Sequence, residues 1–426
     1  MTNMKMMLAM VTACGTLAVV ADVSVGDVSA SQAQDRIVTI SYTLSGGPAV
    51  VTFDALTNGI SIGGIHLGTA SGDVWRRIDA DGAHEIKWLL GGDVPSVDLL
   101  ELRVTAWPTN DPPDYMVVDI SASAAVTPKR YYPAVDFLPG GLFANAMYRT
   151  TSVVMRKIPA KGVTWTMGGE DSTNYVTLGD NYYMGVFEVT QAQWRIIAGT
   201  NCPAYFANAQ YAAMRPQESV RINNIKYNAV DGSGGSSAYA MATNACPTSY
   251  IGYLRSRTGV MFNLPSDAQW EYACRARVGE GHWNNGAVDT GVVAYTNMPG
   301  RCQTTGGSAK TPDADCTPDM GGSPVVGSYA PNAWGLYDMH GGVWEICLDW
   351  YEADADIAKY AGAVNINPAN HLQTLSGETA NQGRVGRGGG WGSVHSMCLS
   401  RTRYGFGGGM SSVAVGFRLC CPAEAK

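Results

Sequence analysis

The sequences RVGRGGGW at residues 384–391 and GFRLC at residues 416–420 enclose the stretch that decides the fold of this chain. Between them lies a run of small and aromatic residues that contains no acid, including HSM at 395–397 and YGFGGGMSS at 404–412. Arginine and glycine at both ends, with a loop-like middle, predict a surface site that a rigid frame holds in place. We call residues 384–420 the terminal segment.

The composition is that of a loop-rich globular protein. The chain has 426 residues, of which 46% are hydrophobic and 15% are charged, and it contains 51 Gly, 11 Trp and 21 Tyr. At this length a single core is not expected, and we predict about two or three domains. The net charge of −7 argues against unspecific nucleic-acid binding, because such binding requires a basic surface.

Residues 1–21 have the features of an export signal. Lys5 supplies a positive charge, residues 6–21 are apolar and small, and residues 19–21 (VVA) offer a cleavage site. As an alternative, residues 11–14 (VTAC) fit a lipoprotein-type cleavage before Cys14. Since no later segment approaches the length of a membrane helix, we expect no transmembrane segment. The chain is expected to be secreted or associated with the cell envelope, as in bacteria.

The cysteines indicate a disulfide-containing protein. Nine of the ten cysteines lie beyond Cys14, and most of them could pair in an oxidising compartment. They are Cys202, Cys246, Cys274, Cys302, Cys316, Cys347, Cys398, Cys420 and Cys421. Because nine is odd, at least one thiol is expected to stay reduced or to pair with another chain. No CxxC pair is present, which argues against a structural zinc site.

The pattern along the chain predicts two globular domains. Residues 35–122 contain short alternating strands, such as those around Ile40–Leu44, Leu100–Ala106 and Tyr115–Ile120, with turns at Asn58-Gly59 and Asp81-Gly82. This spacing is typical of a small all-β sandwich of immunoglobulin type. Residues 123–145 are interpreted as a linker, and a larger domain is predicted from 146 to 426.

Three helices are predicted in the larger domain. The first starts after Thr190 as its N-cap and ends at Gly199. The second starts after Ser266, and Gln269 stands three residues later as in a capping box. The third is expected over residues 236–257. The rest of this domain is predicted to consist of turns, loops and short strands.

Several segments of the larger domain resemble the formylglycine-generating enzyme (sulfatase-modifying factor) family. They occur in family order, as TWTMG at 164–168, YMGVFEVTQ at 183–191, NLPSDAQWEYA at 263–273, NAWGLYDMHGGVWE at 332–345, RGGGW at 387–391 and GFR at 416–418. The resemblance implies an α+β, loop-rich fold of C-type-lectin-like type.

The residues of these motifs also have a plain structural interpretation. Five tryptophans are expected in the core, where each indole N–H needs a partner: Trp194, Trp270, Trp334, Trp344 and Trp391. Gly388 and Gly389 suit positions of positive φ or tight backbone approach. Arg387 and Arg418 are expected to hold carboxylates such as Glu271, Glu345 or Asp349 in buried pairs.

The resemblance implies an oxidase that uses copper and O2 to convert a sulfatase cysteine to formylglycine. Copper would be held by two cysteines of the terminal segment, since Cu(I) requires soft thiolate ligands. Cys398 matches the second of these cysteines and is the candidate catalytic residue, but Ser393 stands where the first should be. A hydroxyl is a poor ligand for Cu(I), so we expect that copper oxidase activity is lost. A disulfide from Cys398 to Cys420 or Cys421 is the alternative role of this thiol.

The resemblance also implies structural calcium, which requires hard oxygen ligands. Glu345 matches one site, to which His340 and Val343 would contribute carbonyls, although Gly342 replaces the usual Asn. Asn297 and Met298 match part of a second site.

A binding protein is the hypothesis that competes with the oxidase. Some relatives with this fold resemble variable proteins that retroelements diversify, and in those the positions between the two conserved ends vary. This chain departs from the family pattern in that region, and tyrosine, serine and glycine suit adaptable binding surfaces. We therefore expect an unidentified protein, peptide or glycan ligand. The predicted ligand-binding residues are Trp391, Ser393, His395, Met397, Tyr404 and Phe406.

Overall fold

The computed structural model describes most of the chain beyond residue 21. The described residues are 22–33, 35–91, 96–97, 100–121, 128–169, 172, 174–199, 203–227, 244–278, 322–351, 364–366, 383–407 and 409–425. Within these ranges, no helix combines the length and the apolarity that crossing a membrane requires.

Twenty strands and five short α-helices are formed by the described residues. The strands are β1 Ser24–Gln32, β2 Ile37–Ser45, β3 Ala49–Thr57, β4 Ile60–Ser61, β5 Ser71–Gly72, β6 Arg76–Ile78, β7 Gly82–Leu89, β8 Glu101–Pro108, β9 Tyr115–Asp119, β10 Lys129–Tyr132, β11 Ser152–Ile158, β12 Val163–Met167, β13 Asn174–Leu178, β14 Tyr182–Gly185, β15 Trp344–Trp350, β16 Val364–Ile366, β17 Arg384–Arg387, β18 Tyr404–Phe406, β19 Val415–Gly416 and β20 Cys420–Pro422. The helices are α1 Gly64–Leu67, α2 Gln191–Ala198, α3 Ile222–Lys226, α4 Tyr250–Thr258 and α5 Asp267–Arg275.

The N-terminal region forms two antiparallel sheets, as the alternating pattern predicts. One sheet has the order β1-β2-β7-β5, and the other has the order β4-β3-β6 with β8 paired to β3. Ile40, Tyr42 and Leu44 are buried at every second position of β2, whereas the residues between them are not. At the β3–β4 turn Asn58 and Gly59 both have positive φ, as two-residue hairpins with a type I′ turn require. Strand β1 precedes the predicted start of this domain at residue 35.

The boundary between the two regions differs from the prediction. Strand β9, which we expected to belong to the N-terminal sandwich, pairs with β11 in the larger region, with Val117 opposite Val154. The expected linker contains β10, which pairs with the other edge of β9. Met116 and Val118 lie in one core, while Tyr115 and Val117 lie in the other. Both faces of β9 are therefore buried, and this strand joins the two regions.

The larger region combines small sheets with helices and loops, which confirms the α+β, loop-rich class. A sheet of order β10-β9-β11-β14-β20 forms its base. A second sheet, of order β18-β17-β15-β19, brings three strands of the terminal segment around β15. The strands β12, β13 and β16 form a third sheet.

Two of the three predicted helices are confirmed with their caps. Helix α2 has a capping box between Thr190 and Gln193, and α5 has the same arrangement between Ser266 and Gln269. The third prediction was wrong at its start, because α4 begins after its N-cap Ser249. Residues 244–249, which include Pro247, are not helical, and residues 236–243 lie outside the described residues.

Candidate functional site

Arg387, at the end of β17, fixes the start of the terminal segment. Its side chain is completely buried, and its guanidinium donates hydrogen bonds to Asp267 and, over 2.9 Å, to Oε2 of Glu271. It also donates to the carbonyl of Ser400 at 2.8 Å. Burial opposes the charge, but the two carboxylates outweigh burial and raise the pKa of Arg387. The expected buried pair with Glu271 is confirmed.

Arg418 fixes the other end of the terminal segment in the same manner. Its Nη2 and Nε atoms donate to Oε1 and Oε2 of Glu345 at 2.6 and 2.9 Å, and Trp270 Nε1 donates to Oε2 at 2.6 Å. Arg418 also donates to the carbonyls of Gly185 and Tyr337 at 2.8 and 2.7 Å. The expected pairing with Glu345 is confirmed, and it links β19–β20 to β14 and β15.

Gly388 and Gly389 have φ values of 84° and 73°, as their residue type led us to expect. A Cβ atom on Gly389 would overlap the Sγ atom of Cys398. The thiol therefore occupies the space that any larger residue at position 389 would need.

Cys398, the candidate catalytic residue, is completely buried. Nδ1 of the buried His340 donates to the carbonyl of Cys398 at 2.7 Å, so the lone pair of the neutral ring lies on Nε2. The Sγ atom of Cys274 lies 3.5 Å from that Nε2 and donates to it. Burial lowers the pKa of His340 to about 4 and raises the pKa of the Cys274 thiol. This arrangement holds a neutral imidazole and a neutral thiol in the interior.

The residues at the expected copper position do not fit copper. Ser393 supplies a hydroxyl instead of a thiolate, and its Oγ already accepts a hydrogen bond from the Gly390 N–H at 3.0 Å. Cys398 has no exposed surface through which a substrate thiol could reach a bound metal. A soft metal needs both sulfur ligands, so the chemistry of this donor set argues against a Cu(I) centre.

The expected disulfide from Cys398 to Cys420 or Cys421 is not formed. The described cysteines are Cys246, Cys274, Cys347, Cys398, Cys420 and Cys421, and no disulfide joins any two of them. Cys420 and Cys421 lie on β20, which pairs with β14, whereas the Cys398 thiol lies against Gly389. The other expected disulfide cysteines, Cys202, Cys302 and Cys316, lie outside the described residues.

Two of the six predicted ligand-binding residues are buried, so they do not lie on an exposed binding surface. Trp391 packs edge-to-face on Phe206 with ring centroids 5.4 Å apart, and its indole N–H donates to the carbonyl of Val413. Phe406 lies in the core beside Trp344. Ser393 and Met397 are half-buried. The side chain of His395 lies outside the described residues.

Tyr404 is the predicted ligand-binding residue that the structure leaves exposed, at 46%. The terminal segment exposes other side chains as well, including Met410 and Val394. We call the exposed set the terminal surface residues: Val394, Ser396, Arg401, Tyr404, Met410 and Ser411. Met410 and Ser411 were missed because the prediction stopped at Phe406, although the Gly-rich run continues to residue 412.

The predicted calcium site around Glu345 contains two carboxylates that sequence reasoning missed. Oδ1 of Asp338 and Oε2 of Glu188 are buried and have no hydrogen-bond partner among the described residues. Glu188 accepts from the N–H of Val343 at 2.9 Å, which places it beside the predicted ligands. Burial raises the pKa of Asp338 to about 7, and burial together with Asp338 and Glu345 raises the pKa of Glu188. Both acids interrupt apolar motifs, and this feature of the sequence could have indicated that they are buried carboxylates.

These unpartnered oxygens fit a hard cation, although the fit requires backbone or water ligands as well. Among the described residues, no three His, Cys, Asp or Glu side chains are arranged to hold a metal by themselves. Calcium commonly completes its shell with carbonyls and water, and the carbonyls of His340 and Val343 were the predicted contributors. Asn297 and Met298, the predicted second site, lie outside the described residues.

We predict that Gly389→Ala lowers the free energy of unfolding by about 2–5 kcal/mol, because two costs add. Alanine is strained in the left-handed backbone conformation of this position, and its Cβ atom would be overpacked against Cys398. Gly392→Ala is the control, because a Cβ atom added at that position would meet no described atom within 4 Å. Urea unfolding of the two variants and the parent measures both effects. Equal midpoints for all three proteins would contradict the packing described here.

Comparison with known proteins identifies the larger region. The sulfatase-modifying factor enzyme 1-like domain matches residues 123–422. The chain is 31% identical over 137 residues to the formylglycine-generating enzyme of Thermomonospora curvata, a match that covers 32% of this chain and 40% of that enzyme. It is 28% identical over 138 residues to the formylglycine-generating enzyme of Mus musculus, covering 32% of each protein. The matches thus span less than half the length of either enzyme.

Solved structures show weaker similarity. Treponema denticola variable protein 1 superimposes with a TM-score of 0.45 and 21% identity, covering 64% of this chain and 96% of that one. PvdO from Pseudomonas aeruginosa gives a TM-score of 0.40 and 20% identity, covering 63% of this chain and 94% of that one. The family match covers well over half of the sequence, and the chain therefore belongs to the sulfatase-modifying factor enzyme 1-like (formylglycine-generating enzyme) family.

Proposed function

We propose that this chain is an exported member of the family that has lost copper oxidase activity and binds a protein or peptide ligand through its terminal surface residues. The observation that carries the proposal is that the residues at the expected copper position cannot form the two-thiolate site. Ser393 supplies a hydroxyl that is engaged with Gly390, and Cys398 is buried. The same segment nevertheless exposes several side chains on a fixed backbone.

The rigidity of the segment supports a binding role. Arg387 and Arg418 hold its two ends through buried ion pairs, and Trp391, four residues after Arg387, packs on Phe206. A backbone fixed in this way loses little conformational entropy when a ligand binds, which favours affinity.

The chemistry of the exposed side chains supports a protein or peptide over a glycan. Val394 and Met410 are aliphatic, and Tyr404 adds an aromatic ring with a polar tip. Apolar and tyrosine side chains of this type make the large contacts of protein interfaces. No acidic residue occurs between Glu378 and Glu424, and Arg401 is exposed. A ligand that presents carboxylates next to apolar groups would complement this surface.

The alternative function, oxidation of a sulfatase cysteine to formylglycine, has a direct test. Copper-loaded protein is given O2 and a peptide that contains Cys-x-Pro-x-Arg, and mass spectrometry follows the peptide cysteine. We expect no formylglycine, because the dithiolate is incomplete. Product that disappears in the Cys398→Ala variant would establish the oxidase and remove the binding proposal.

The binding role predicts a loss of ligand in the Tyr404→Ala/Met410→Ala double variant. Random peptide and glycan arrays are probed with the parent, with this variant and with Ile65→Ala, which removes an apolar side chain that is 80% exposed elsewhere. We expect peptide signals that fall at least about tenfold in the double variant and persist in the control, as for central interface residues. Signals unchanged in the double variant would refute the assignment of this surface.

Calcium is proposed as a structural ion. The unpartnered oxygens of Asp338 and Glu188 would hold it beside Glu345, together with water and the carbonyls of His340 and Val343, and it would neutralise carboxylates that burial disfavours. It supplies no redox chemistry, and its effect would be on stability.

We expect calcium chloride to raise the melting temperature of protein that has been stripped with a chelator, because a ligand of the folded state stabilises it. Asp338→Asn keeps the size of the side chain but removes a ligand charge, so calcium should no longer raise the melting temperature of this variant. Asp35→Asn, in an exposed turn, is the matched control. An unchanged melting temperature of the parent over millimolar calcium would rule out this role.

Diversification by a retroelement is part of the proposal and can be tested on DNA. The coding sequence of residues 390–415 should have a near-copy close by, next to a reverse-transcriptase gene. Differences between the two copies should fall at adenines and at codons for exposed residues such as Val394, Ser396 and Tyr404. A locus without either element would rule out this source of variation.

A further inference from the structure

A cavity of ≈ 420 Å³ lies between the β13–β14 turn, helices α4 and α5, and strand β20. Its volume falls within the range of about 300–1,000 Å³ that is typical of small-molecule sites. None of the residues that line it belongs to the terminal surface set. The cavity is therefore a second candidate site, independent of the function proposed above.

The walls of the cavity are largely apolar. Leu178, Leu264 and Leu348 line it, and all three are buried. Met261 also lines it and is 53% exposed, although methionine is usually found inside proteins. An apolar ligand group would cover this side chain and would contact the leucines.

Two side-chain amides contribute hydrogen-bond donors to the lining. Oδ1 of Asn181 accepts from the N–H groups of Ala160 and Lys161, each at 3.0 Å, and Oε1 of Gln269 accepts from the N–H of Ser266 at 2.9 Å. Because backbone N–H groups donate to these oxygens, the orientation of each amide is fixed. Neither NH2 group has a hydrogen-bond partner among the described residues. Each can therefore donate to a ligand.

The charged residues of the lining favour an anion. Arg255 is half-buried and orders its guanidinium by donating from Nε to the carbonyl of Phe262 at 2.6 Å. Among the described residues that line the cavity, one is acidic. This residue is Asp180, which is exposed to solvent at the rim. The polar lining thus combines a cation with amide donors, and a carboxylate can accept from all of them.

We propose that this cavity binds a small monocarboxylate with an apolar body. The carboxylate accepts hydrogen bonds from the NH2 groups of Gln269 and Asn181 and pairs with Arg255. The apolar body lies against the leucines and under Met261.

The probes are 4-phenylbutanoate, its amide and 4-phenylbutylamine, which share one apolar body and differ in the head group. Protein labelled with ¹³C on the methionine methyl groups is titrated, and the Met261 resonance is assigned from Met261→Leu. We expect a saturable shift of this resonance with the carboxylate and none with the amine. No shift with 4-phenylbutanoate up to millimolar concentration, or an equal shift with the amine, would overturn the proposal.

Gln269→Glu and Asn181→Asp test the donors without removing the structural hydrogen bonds. Each variant keeps the oxygen that accepts from the backbone, and glutamate is a normal capping-box residue after Ser266. Each replaces an NH2 donor by a negative charge, so we expect affinity for 4-phenylbutanoate to fall at least about tenfold. Asn58→Asp makes the same charge change in an exposed turn and should bind as the parent does. Unchanged affinity in both cavity variants would refute the assignment.

Discussion

The ion pairs of Arg387 with Asp267 and Glu271 are the interaction on which the rest of the site depends. The two acids lie one helical turn apart on α5, so a single guanidinium reaches both while it also donates to the carbonyl of Ser400. Removing one partner of such a buried pair typically costs about 3–5 kcal/mol, because the remaining charge stays without compensation. Helix α5 therefore fixes both β17 and the backbone that follows Cys398.

This constraint separates the terminal segment into a frame and a surface. The frame includes Arg387, Gly389 and Arg418, whose positions are set by buried charge and by the lack of space for a Cβ atom. The surface includes Tyr404 and Met410, which are 46% and 47% exposed, and the Tyr404 ring also packs on Trp344 and Phe406. We expect substitutions at the exposed positions to leave the fold intact, which the proposed binding role requires. Cys398 belongs to the frame, because its carbonyl and its thiol are both packed inside.

The sequence predicted the features that depend on neighbouring residues or on family motifs. The capping boxes at Thr190 and Ser266 were found because a cap and its partner lie three residues apart. The ion pairs of Arg387 and Arg418 could be predicted because both arginines and their acidic partners lie in the family motifs.

Strand β9 was assigned to the wrong region, because an apolar strand does not specify which distant strand it pairs with. Trp391 lies in the core, as expected for the motif tryptophans, and not on the predicted binding surface. The prediction that Phe406 lies on that surface was wrong, since an aromatic residue in a loop can face either side. The acids Glu188 and Asp338 were missed because their place inside apolar motifs does not show that they lie near Glu345; that proximity is long-range.

The most direct test of this division is a library in which the six terminal surface residues are randomised together and the melting temperatures of many members are measured. We expect most members to melt within about 6 °C of the parent, because six exposed substitutions, each of up to about 0.5 kcal/mol in either direction, sum to at most about 3 kcal/mol. A library whose members are mostly unfolded would contradict it, since the segment would then be part of the core and unable to vary as a binding surface.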